Sequence, residues 1–194
     1  MTQVVGKGGD FVGVTVLEAA PNVITALRTK EKDGYSSLQL GYETRKTANK
    51  PKTGHLKKSG LKNGYLKEFK IDTELAENLK VGQKIDLSDF EQGAQVQVQG
   101  FCKGSGFQGV IKKHNFHRGP KTHGSHHYRA PGSIGQCSFP ARVFKGKKMP
   151  GRQGVSKITI KNLQIIKVDI EKNLLALKGS VPGKKGSFVA IKGL

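Results

Sequence analysis

Tryptophan is absent from this 194-residue sequence, and only two cysteines, Cys102 and Cys137, are present. Two thiols are too few for the disulfide framework of a small secreted domain, so we expect a reducing compartment. No segment has the roughly 18 consecutive apolar residues of a membrane-spanning helix, and the N-terminal MTQVVGKGGDF lacks the features of a signal or transit peptide. We therefore predict a cytoplasmic protein without a membrane partner, with a processed organelle protein as the alternative.

Carboxylates are missing from a long central block, because no Asp or Glu lies between Glu91 and Asp169. These 77 residues carry 14 Lys and Arg and five of the six His, whereas the other 117 residues carry 20 basic and 14 acidic side chains. The chain has a net charge of +20 and a pI of about 10.1. Globular surfaces normally mix both signs of charge, so a block of this kind predicts a polyanionic partner, above all nucleic acid.

Short segments rich in β-branched residues flank the middle of this block, and many alternate in polarity. They are FVGVTVLEA, NVITALRT, SSLQLGYE, KEFKI, QKIDLSDF and QVQVQGF before it, and SKITI, LQIIKVDI, NLLALKGS and SFVAIKG after it. The pattern predicts a mainly β protein with an antiparallel sheet closed into a small barrel. VDIEKNLLAL predicts a hairpin with Glu171, Lys172 and Asn173 in its turn, and DTELAENLKVG predicts one helix between Asp72 and Gly82.

Residues 99–155 interrupt the strand pattern with eleven Gly and four Pro. Few apolar residues are available there to form a core, and a loop of this length in a compact domain is functional or disordered. We predict that 99–155 form a long, irregular, basic extension that binds RNA, which we call the arm. The body would then be discontinuous, formed by residues 1–98 and 156–194.

The basic side chains of the arm are predicted to contact phosphates, and a histidine among them to stack on bases or bond to phosphate or ribose. The predicted RNA-binding residues are Lys103, Lys112, Lys113, Arg118, Lys121, His123, Arg129, Arg142, Lys145, Lys147, Lys148 and Arg152. A second acid-free stretch, residues 44–67, has eight basic residues. We interpret it as a secondary basic loop, and its residues fit a solvated loop and an RNA contact equally well.

Residues 104–109, GSGFQG, fit the G-x-G-x-x-G fingerprint of dinucleotide-binding enzymes. That fingerprint requires a buried parallel strand before it, a helix after it and an acidic residue about 20 positions later. Here QVQVQGF precedes it, with the alternation of a half-exposed antiparallel strand. VIKKHNFHRGP follows without a helical period, and Arg129 occupies the position of the acid. We predict that the glycines serve turns, so that a nucleotide-dependent enzyme is a poorer alternative and no cofactor is expected.

Five histidines within fourteen residues, followed by Cys137, suggest a zinc site: His114, His117, His123, His126 and His127. However, the block has no C-x-x-C pair, no H-E-x-x-H and no carboxylate to orient a histidine ligand. A dication would also be repelled by the surrounding Lys and Arg. A Ser or Cys nucleophile likewise lacks an acid to orient its base. We predict neither a metal site nor an enzyme.

The segments GFQGVIKKHNFHRGPKTHGSHHYRAPGSIGQ and RVFKGKKMPGRQG resemble the large ribosomal subunit protein three family in its shorter bacterial or organelle form. The resemblance extends through NKPKTGHLKKSG and NLQIIKVDIEKNLLALKGSVPGKKG, and so covers nearly the whole chain. It implies a structural constituent of the large subunit that binds 23S-type rRNA directly and nucleates assembly beside other large-subunit proteins. The arm would reach toward the peptidyl transferase centre. A double-stranded DNA architectural protein is the alternative with the same charge.

The resemblance also implies a modification. In bacterial relatives a glutamine in the motif that matches GSIGQ is methylated on its side-chain amide nitrogen, which implies N5-methylglutamine at Gln136 and a dedicated methyltransferase as a partner. The chain departs from the family pattern in two places. The family usually has a Gly- and Lys-rich strand before MTQV, so the first barrel strand is expected to be missing or wrongly started here. Phe139-Pro140-Ala141-Arg142 stands where many members have PGRVF, so this turn is expected to differ locally.

Overall fold

A computed structural model describes residues 1–6, 8–44, 48–72 and 79–193 of the chain. The described residues form twelve strands and a few short helices. The strands are β1 (Thr2–Val5), β2 (Phe11–Glu18), β3 (Asn22–Arg28), β4 (Ser37–Glu43), β5 (Gly64–Lys70), β6 (Lys84–Ile85), β7 (Gln95–Phe101), β8 (Gly106–Gln108), β9 (Gly151–Gln153), β10 (Lys157–Asp169), β11 (Leu174–Lys178) and β12 (Ala190–Gly193). The helices are α1 (Lys30–Asp33), α2 (Lys50–Leu56) and α3 (Val110–His114), with 3-10 turns at Lys57–Ser59 and Leu87–Asp89. Every helix in these ranges is too short to cross a membrane.

The strands form three sheets, with orders β1-β2-β11-β10-β7-β12, β5-β4-β3-β6 and β8-β9. The neighbours β1·β2, β2·β11, β10·β11, β3·β4, β3·β6, β4·β5 and β8·β9 are all antiparallel. The predicted mainly β class with antiparallel sheets is therefore confirmed. Within the described residues the six-stranded order has two ends, β1 and β12, so a closed barrel is not confirmed.

Alternating burial along the strands places the core of the sheets. In β7 the side chains of Val96 and Val98 are buried, while those of Gln95 and Gln97 are not. Because successive side chains of a strand point to opposite faces, this alternation buries one face of β7. The other core residues of the sheets include Val14, Ile24, Leu38, Ile165, Leu175 and Leu177. Each buried aliphatic side chain of this kind stabilises the fold by about 1.5–3 kcal/mol.

The predicted hairpin is present between β10 and β11, where Asp169 pairs with Leu174 across the turn. The backbone N–H of Lys172 donates to Oδ1 of Asp169 at 3.0 Å, and Asn173 has a φ of +54°. SKITI and LQIIKVDI, predicted as separate segments, form the single strand β10. Most of the helix predicted between Asp72 and Gly82 falls on residues 73–78, which lie outside the described residues.

The stretch 44–67 differs from the predicted basic loop, apart from residues 45–47, which lie outside the described ones. It contains α2, a 3-10 turn and the start of β5. Pro51 stands in the first turn of α2, where a helix does not use its backbone N–H groups internally. Leu56 and Leu61 are buried with 0% and 7% exposure, and Cδ1 of Leu61 lies 2.8 Å from the position of a Cβ on Gly41. Leu56 and Leu61 lie among many Lys residues, so the sequence alone does not indicate that they are buried.

The chain divides into two compact units. The first comprises residues 1–98, 160–181 and 190–194, and the second comprises residues 99–159 and 182–189. The sequence interpretation assigned 182–189 to the body, whereas the structure groups it with 99–159. The physical reason is the close packing of this segment against the backbone of Gly100, since a Cβ on Gly100 would lie 3.0 Å from the carbonyl oxygen of Pro182 and 3.1 Å from Cγ1 of Val189.

Candidate nucleic-acid interface

The first and last residues of the arm run side by side and are joined by backbone hydrogen bonds. The N–H groups of Cys102 and Ser105 donate to the carbonyls of Ser156 and Gln153 at 3.0 and 2.8 Å. Beyond them β8 and β9 pair with Gly106 opposite Gln153, Phe107 opposite Arg152 and Gln108 opposite Gly151. Gly154, with a φ of +89°, is required at this point, because a Cβ there would lie 2.7 Å from Cα of Gly104. The ladder holds Lys103 and Arg152 on a defined backbone.

The glycine fingerprint at residues 104–109 leads into α3, a five-residue helix that the sequence interpretation missed. Gly109 is its N-cap, and Asn115 ends it in the left-handed conformation by donating its N–H to the carbonyl of Val110. A single helical turn is too short to show a period of 3.6 residues, which explains the wrong prediction. The strand within the fingerprint, β8, pairs antiparallel with β9, and no acidic residue follows before Asp169. Dinucleotide-binding geometry is therefore not formed, and Gly106, predicted to serve a turn, instead begins β8 with a φ of +70°.

Helix α3 contacts the returning chain just before β9. Nε2 of His114 lies 3.1 Å from the carbonyl oxygen of Met149. Nζ of Lys113 lies 2.7 Å from the position that a Cβ on Gly151 would occupy. Val110 is buried with 1% exposure and anchors the first turn of the helix. These contacts hold Lys113 half-buried against the β8–β9 pair, which we call the β8–β9 ribbon, whereas Lys112 is exposed.

Residues 118–128 form a closed loop around one tyrosine, and we call this segment the Tyr128 loop. The N–H of Gly119 donates to the carbonyl of Tyr128 at 3.0 Å. Nη1 of Arg118 donates to the hydroxyl of Tyr128 at 3.3 Å, and Nζ of Lys121 lies 5.3 Å from the centroid of its ring. A Cβ on Gly119 would overlap the carbonyl oxygen of His127. The loop thus fixes two cations on one aromatic side chain.

The next part of the arm encloses a shallow hollow of about 500 Å³. It is lined by Gly132, Ser133, Ile134, Gly135, Gln136, Ala141, Arg142 and Val143. Gln136 is exposed, and the guanidinium of Arg142 lies 5.6 Å from the centroid of the Phe144 ring. In the turn expected to differ from the family, Phe139 is 87% exposed and Ala141 has a φ of +56°.

The structure leaves the predicted RNA-binding residues accessible. Eleven of the twelve are exposed, and Lys113 is half-buried. Within the described ranges no ion pair joins any of them to a carboxylate; Arg28, in the first unit, pairs there with Asp33 at 2.8 Å and with Glu68 at 3.8 Å. Their contacts with phosphate stay a prediction, and the surface that they form is cationic without internal neutralisation.

The histidines and cysteines of the arm, among the described residues, do not form a metal-binding cluster. Among the described residues no group of three or more His, Cys, Asp or Glu side chains is placed to hold a metal ion. Sγ of Cys102 lies 3.2 Å from Oγ of Ser156, and this hydrogen bond lowers the pKa of the Cys102 thiol. Cys137 is exposed.

Sequence reasoning missed the exposed aromatic residues of the arm. Phe107 is 72% exposed and Phe144 is 59% exposed, in addition to Phe139. Large apolar side chains at such exposure commonly mark binding surfaces when they occur together. The sequence could have predicted this exposure, because these aromatic residues lie in a segment rich in glycines and cations that has no hydrophobic period. An aromatic side chain in such a segment has no core in which to pack.

The sequence of the chain is similar to those of known proteins. The family model of ribosomal protein L3 matches residues 42–173, a range that includes the whole acid-free block. Three similar bacterial proteins are each named large ribosomal subunit protein uL3. The protein of Bacillus cytotoxicus is 48% identical over 196 residues, covering 100% of this chain and 92% of its own. Those of Macrococcus caseolyticus and Alkaliphilus metalliredigens are each 46% identical, covering 99% of this chain and 91% and 92% of their own.

Proposed function

Because the chain belongs to the ribosomal protein L3 family, as its sequence resemblance predicted, we propose that it is a structural constituent of the large ribosomal subunit and binds large-subunit rRNA directly. Its place is the ribosome of the bacterial cytoplasm, since these three relatives are bacterial. The family is one of structural proteins, so the chain is not an enzyme. The nucleotide-dependent alternative has no support in the geometry of residues 104–109.

The observation that carries rRNA binding is the exposed, unpaired set of cations in a block without carboxylates. Such a surface repels itself unless phosphates supply the missing negative charge. With roughly 6–10 phosphate contacts, the affinity for rRNA falls about 10³- to 10⁵-fold between 50 and 200 mM salt. The twelve predicted residues supply enough cations for that number of contacts.

The finer assignments are part of the same proposal. Residues 99–155 act as the RNA-binding arm and reach toward the peptidyl transferase centre. Residues 1–98 and 156–194, apart from 156–159 and 182–189, which group with the arm, form a barrel-like body beside neighbouring large-subunit proteins, and early rRNA binding nucleates assembly. The division into two compact units and the glycines at close backbone approaches, such as Gly119 and Gly154, support an arm that fits into crowded RNA. In the stretch 44–67, the exposed Lys50, Lys57, Lys58 and Lys62 add a second phosphate-binding surface.

Methylation of Gln136 by a glutamine methyltransferase completes the proposal. The side chain is exposed beside the hollow at residues 132–143, where an enzyme can reach it. Methylation replaces one of its two amide N–H donors and keeps the carbonyl acceptor and the neutral charge. The modified side chain then favours packing against a base or ribose over a hydrogen bond to water.

Salt-dependent binding of the full chain to transcribed large-subunit rRNA tests the proposal. Lys147→Gln with Lys148→Gln should lower the slope of log affinity against log salt by roughly 0.7–0.9 for each phosphate that the variant no longer neutralises. Lys30→Gln with Lys32→Gln, in α1 beside Glu31 and Asp33, is the matched control and should leave the slope unchanged. An affinity of the wild type that does not depend on salt would refute the proposal.

Binding to rRNA and binding to double-stranded DNA both predict a steep salt dependence. The two hypotheses are therefore separated by which nucleic acid the protein prefers. Crosslinking in cells, followed by sequencing of the attached nucleic acid, should recover large-subunit rRNA. Recovery of genomic DNA, together with equal affinity for DNA and rRNA in solution, would support the architectural alternative instead.

A further inference from the structure

Phe107 and Arg152 form a pair on one face of the β8–β9 ribbon. They stand directly opposite each other in the antiparallel register. Side chains at such positions extend to the same face, with Cβ atoms roughly 5 Å apart. Phe107 is 72% exposed and Arg152 is exposed, so this face presents a ring and a guanidinium together to solvent.

The fold does not use the Phe107 ring for packing. The opposite face of the ribbon carries the pairs Gly106 with Gln153 and Gln108 with Gly151, and the latter glycine faces the Lys113 ammonium. Gln108 and Gln153 are half-buried there. At this exposure the Phe107 ring adds little to stability, and its position opposite Arg152 leaves ring and guanidinium together available to a ligand.

The chemistry of the face selects the ligand. No Asp or Glu lies within residues 92–168, so the surroundings favour an anion. A planar apolar ring beside a guanidinium fits a ligand with a flat aromatic part and an adjacent negative charge. An unstacked nucleotide has both, since its base stacks on an aromatic side chain while its phosphate accepts from arginine.

We propose that Phe107 and Arg152 bind one unstacked nucleotide of a single-stranded segment of large-subunit rRNA, with the base on the Phe107 ring and the phosphate on Arg152. The inference rests on the proposed rRNA binding and deepens it, because it adds a base contact to the phosphate contacts. Two other aromatic residues of the arm are arranged differently. The Tyr128 ring is near Lys121, and the Phe144 ring is near Arg142, so each already has a cation at its face.

The test measures binding of the full chain to transcribed large-subunit rRNA at several salt concentrations. Phe107→Leu keeps an apolar side chain but removes the π face, and its affinity should fall roughly 5- to 150-fold at every salt concentration. The salt slope should stay unchanged, because stacking releases no counterions. Phe107→Trp should keep the wild-type affinity. Arg152→Gln should instead lower the slope by roughly 0.7–0.9.

Phe11→Leu is the matched control, because Phe11 is 76% exposed on a strand but lies beside Asp10, outside the acid-free block. It should bind rRNA as the wild type does. Thermal unfolding of the free variants should show unchanged stability, which excludes misfolding as the cause of weaker binding.

Three results would overturn the nucleotide site: wild-type affinity in Phe107→Leu, an equal loss in Phe107→Trp, or a loss that disappears at high salt. A wild-type protein that fails to bind rRNA would instead refute the proposed function. The two failures are therefore distinguishable in one series of measurements.

Discussion

The hydroxyl of Tyr128 accepts a 3.3 Å hydrogen bond from the guanidinium of Arg118. The same ring lies beneath the ammonium group of Lys121. No carboxylate within residues 92–168 competes for either cation. Tyr128 thereby reduces the conformational freedom of two long side chains before any phosphate arrives, and ordering such side chains is one of the costs of binding.

We predict that Tyr128→Phe weakens rRNA binding moderately and that Tyr128→Leu weakens it more. The first change removes only the hydrogen bond to Arg118, whereas the second also removes the ring under Lys121, an interaction worth about 0.5–1 kcal/mol at exposed sites. Filter binding at fixed salt measures both. In an Arg118→Ala background, Tyr128→Phe should have no further effect. An additive loss in that double variant would contradict the role assigned to the hydroxyl.

Gly154→Ala should open the base of the arm. The left-handed backbone costs a non-glycine residue about 1–3 kcal/mol, and the new Cβ would also lie 2.7 Å from Cα of Gly104. Hydrogen exchange of the Ser105 amide, which donates to Gln153 at 2.8 Å, should speed up about tenfold for each 1.4 kcal/mol. Gly124→Ala, at a φ of +71° with open space around it, should leave that amide unaffected.

Leu56→Ala should destabilise the first unit by about 2–5 kcal/mol, because the side chain is fully buried and its removal leaves a cavity. Lys57→Ala, one residue later and exposed, should change stability by less than about 0.5 kcal/mol. Urea unfolding followed by circular dichroism compares the two. Equal stability of both variants would mean that the stretch 44–67 behaves as the solvated loop that its composition suggested.

The Cys102 thiol should ionise at a lower pH than an ordinary cysteine, because the hydrogen bond from Ser156 stabilises the thiolate and lowers the pKa. Alkylation of Cys102, followed by mass spectrometry of its peptide, should therefore begin at lower pH in the folded protein than in urea. Ser156→Ala should move the profile to higher pH. Ser138→Ala, beside Cys137, is the control and should leave the Cys102 profile unchanged. A Ser156→Ala profile identical to the wild type would remove the assigned cause.

Peptide mass spectrometry of the protein from native ribosomes should find one added methyl group on Gln136. A Gln136→Asn variant keeps the amide but shortens the side chain, and should lack the modification. An unmodified Gln136 peptide at full occupancy would refute the methylation proposed from the family.

Charge and alternation were sufficient to predict much of this molecule, because both are local properties of the chain. The acid-free block from 92 to 168 indicated a polyanion partner without any coordinates, and the alternation in QVQVQGF predicted β7 with its bounds. The hairpin turn at Glu171–Asn173 was equally local. The family motifs identified the family, which the comparisons confirmed.

Prediction from local properties of the sequence failed where the structure of a short segment depends on residues that are distant along the chain. Helix α2 lies in a stretch with many Lys, and only its packing reveals that Leu56 is buried. Helix α3 is one turn long, and its contact with Met149 comes from 35 positions along the chain. The segment 182–189 joins the arm through Gly100, a contact that sequence spacing does not indicate.

The sequence by itself therefore determined the partner class, the strand-rich composition and the family, since charge, periodicity and motifs are properties of the order of residues. Only the tertiary structure decided which cations share an aromatic partner and which aromatic rings stay exposed. Arg118 and Tyr128 are ten residues apart, and Phe107 and Arg152 are opposite each other across a ribbon whose strands are joined by more than forty residues. Chain folding creates such proximities, and a pattern read along the chain does not contain them.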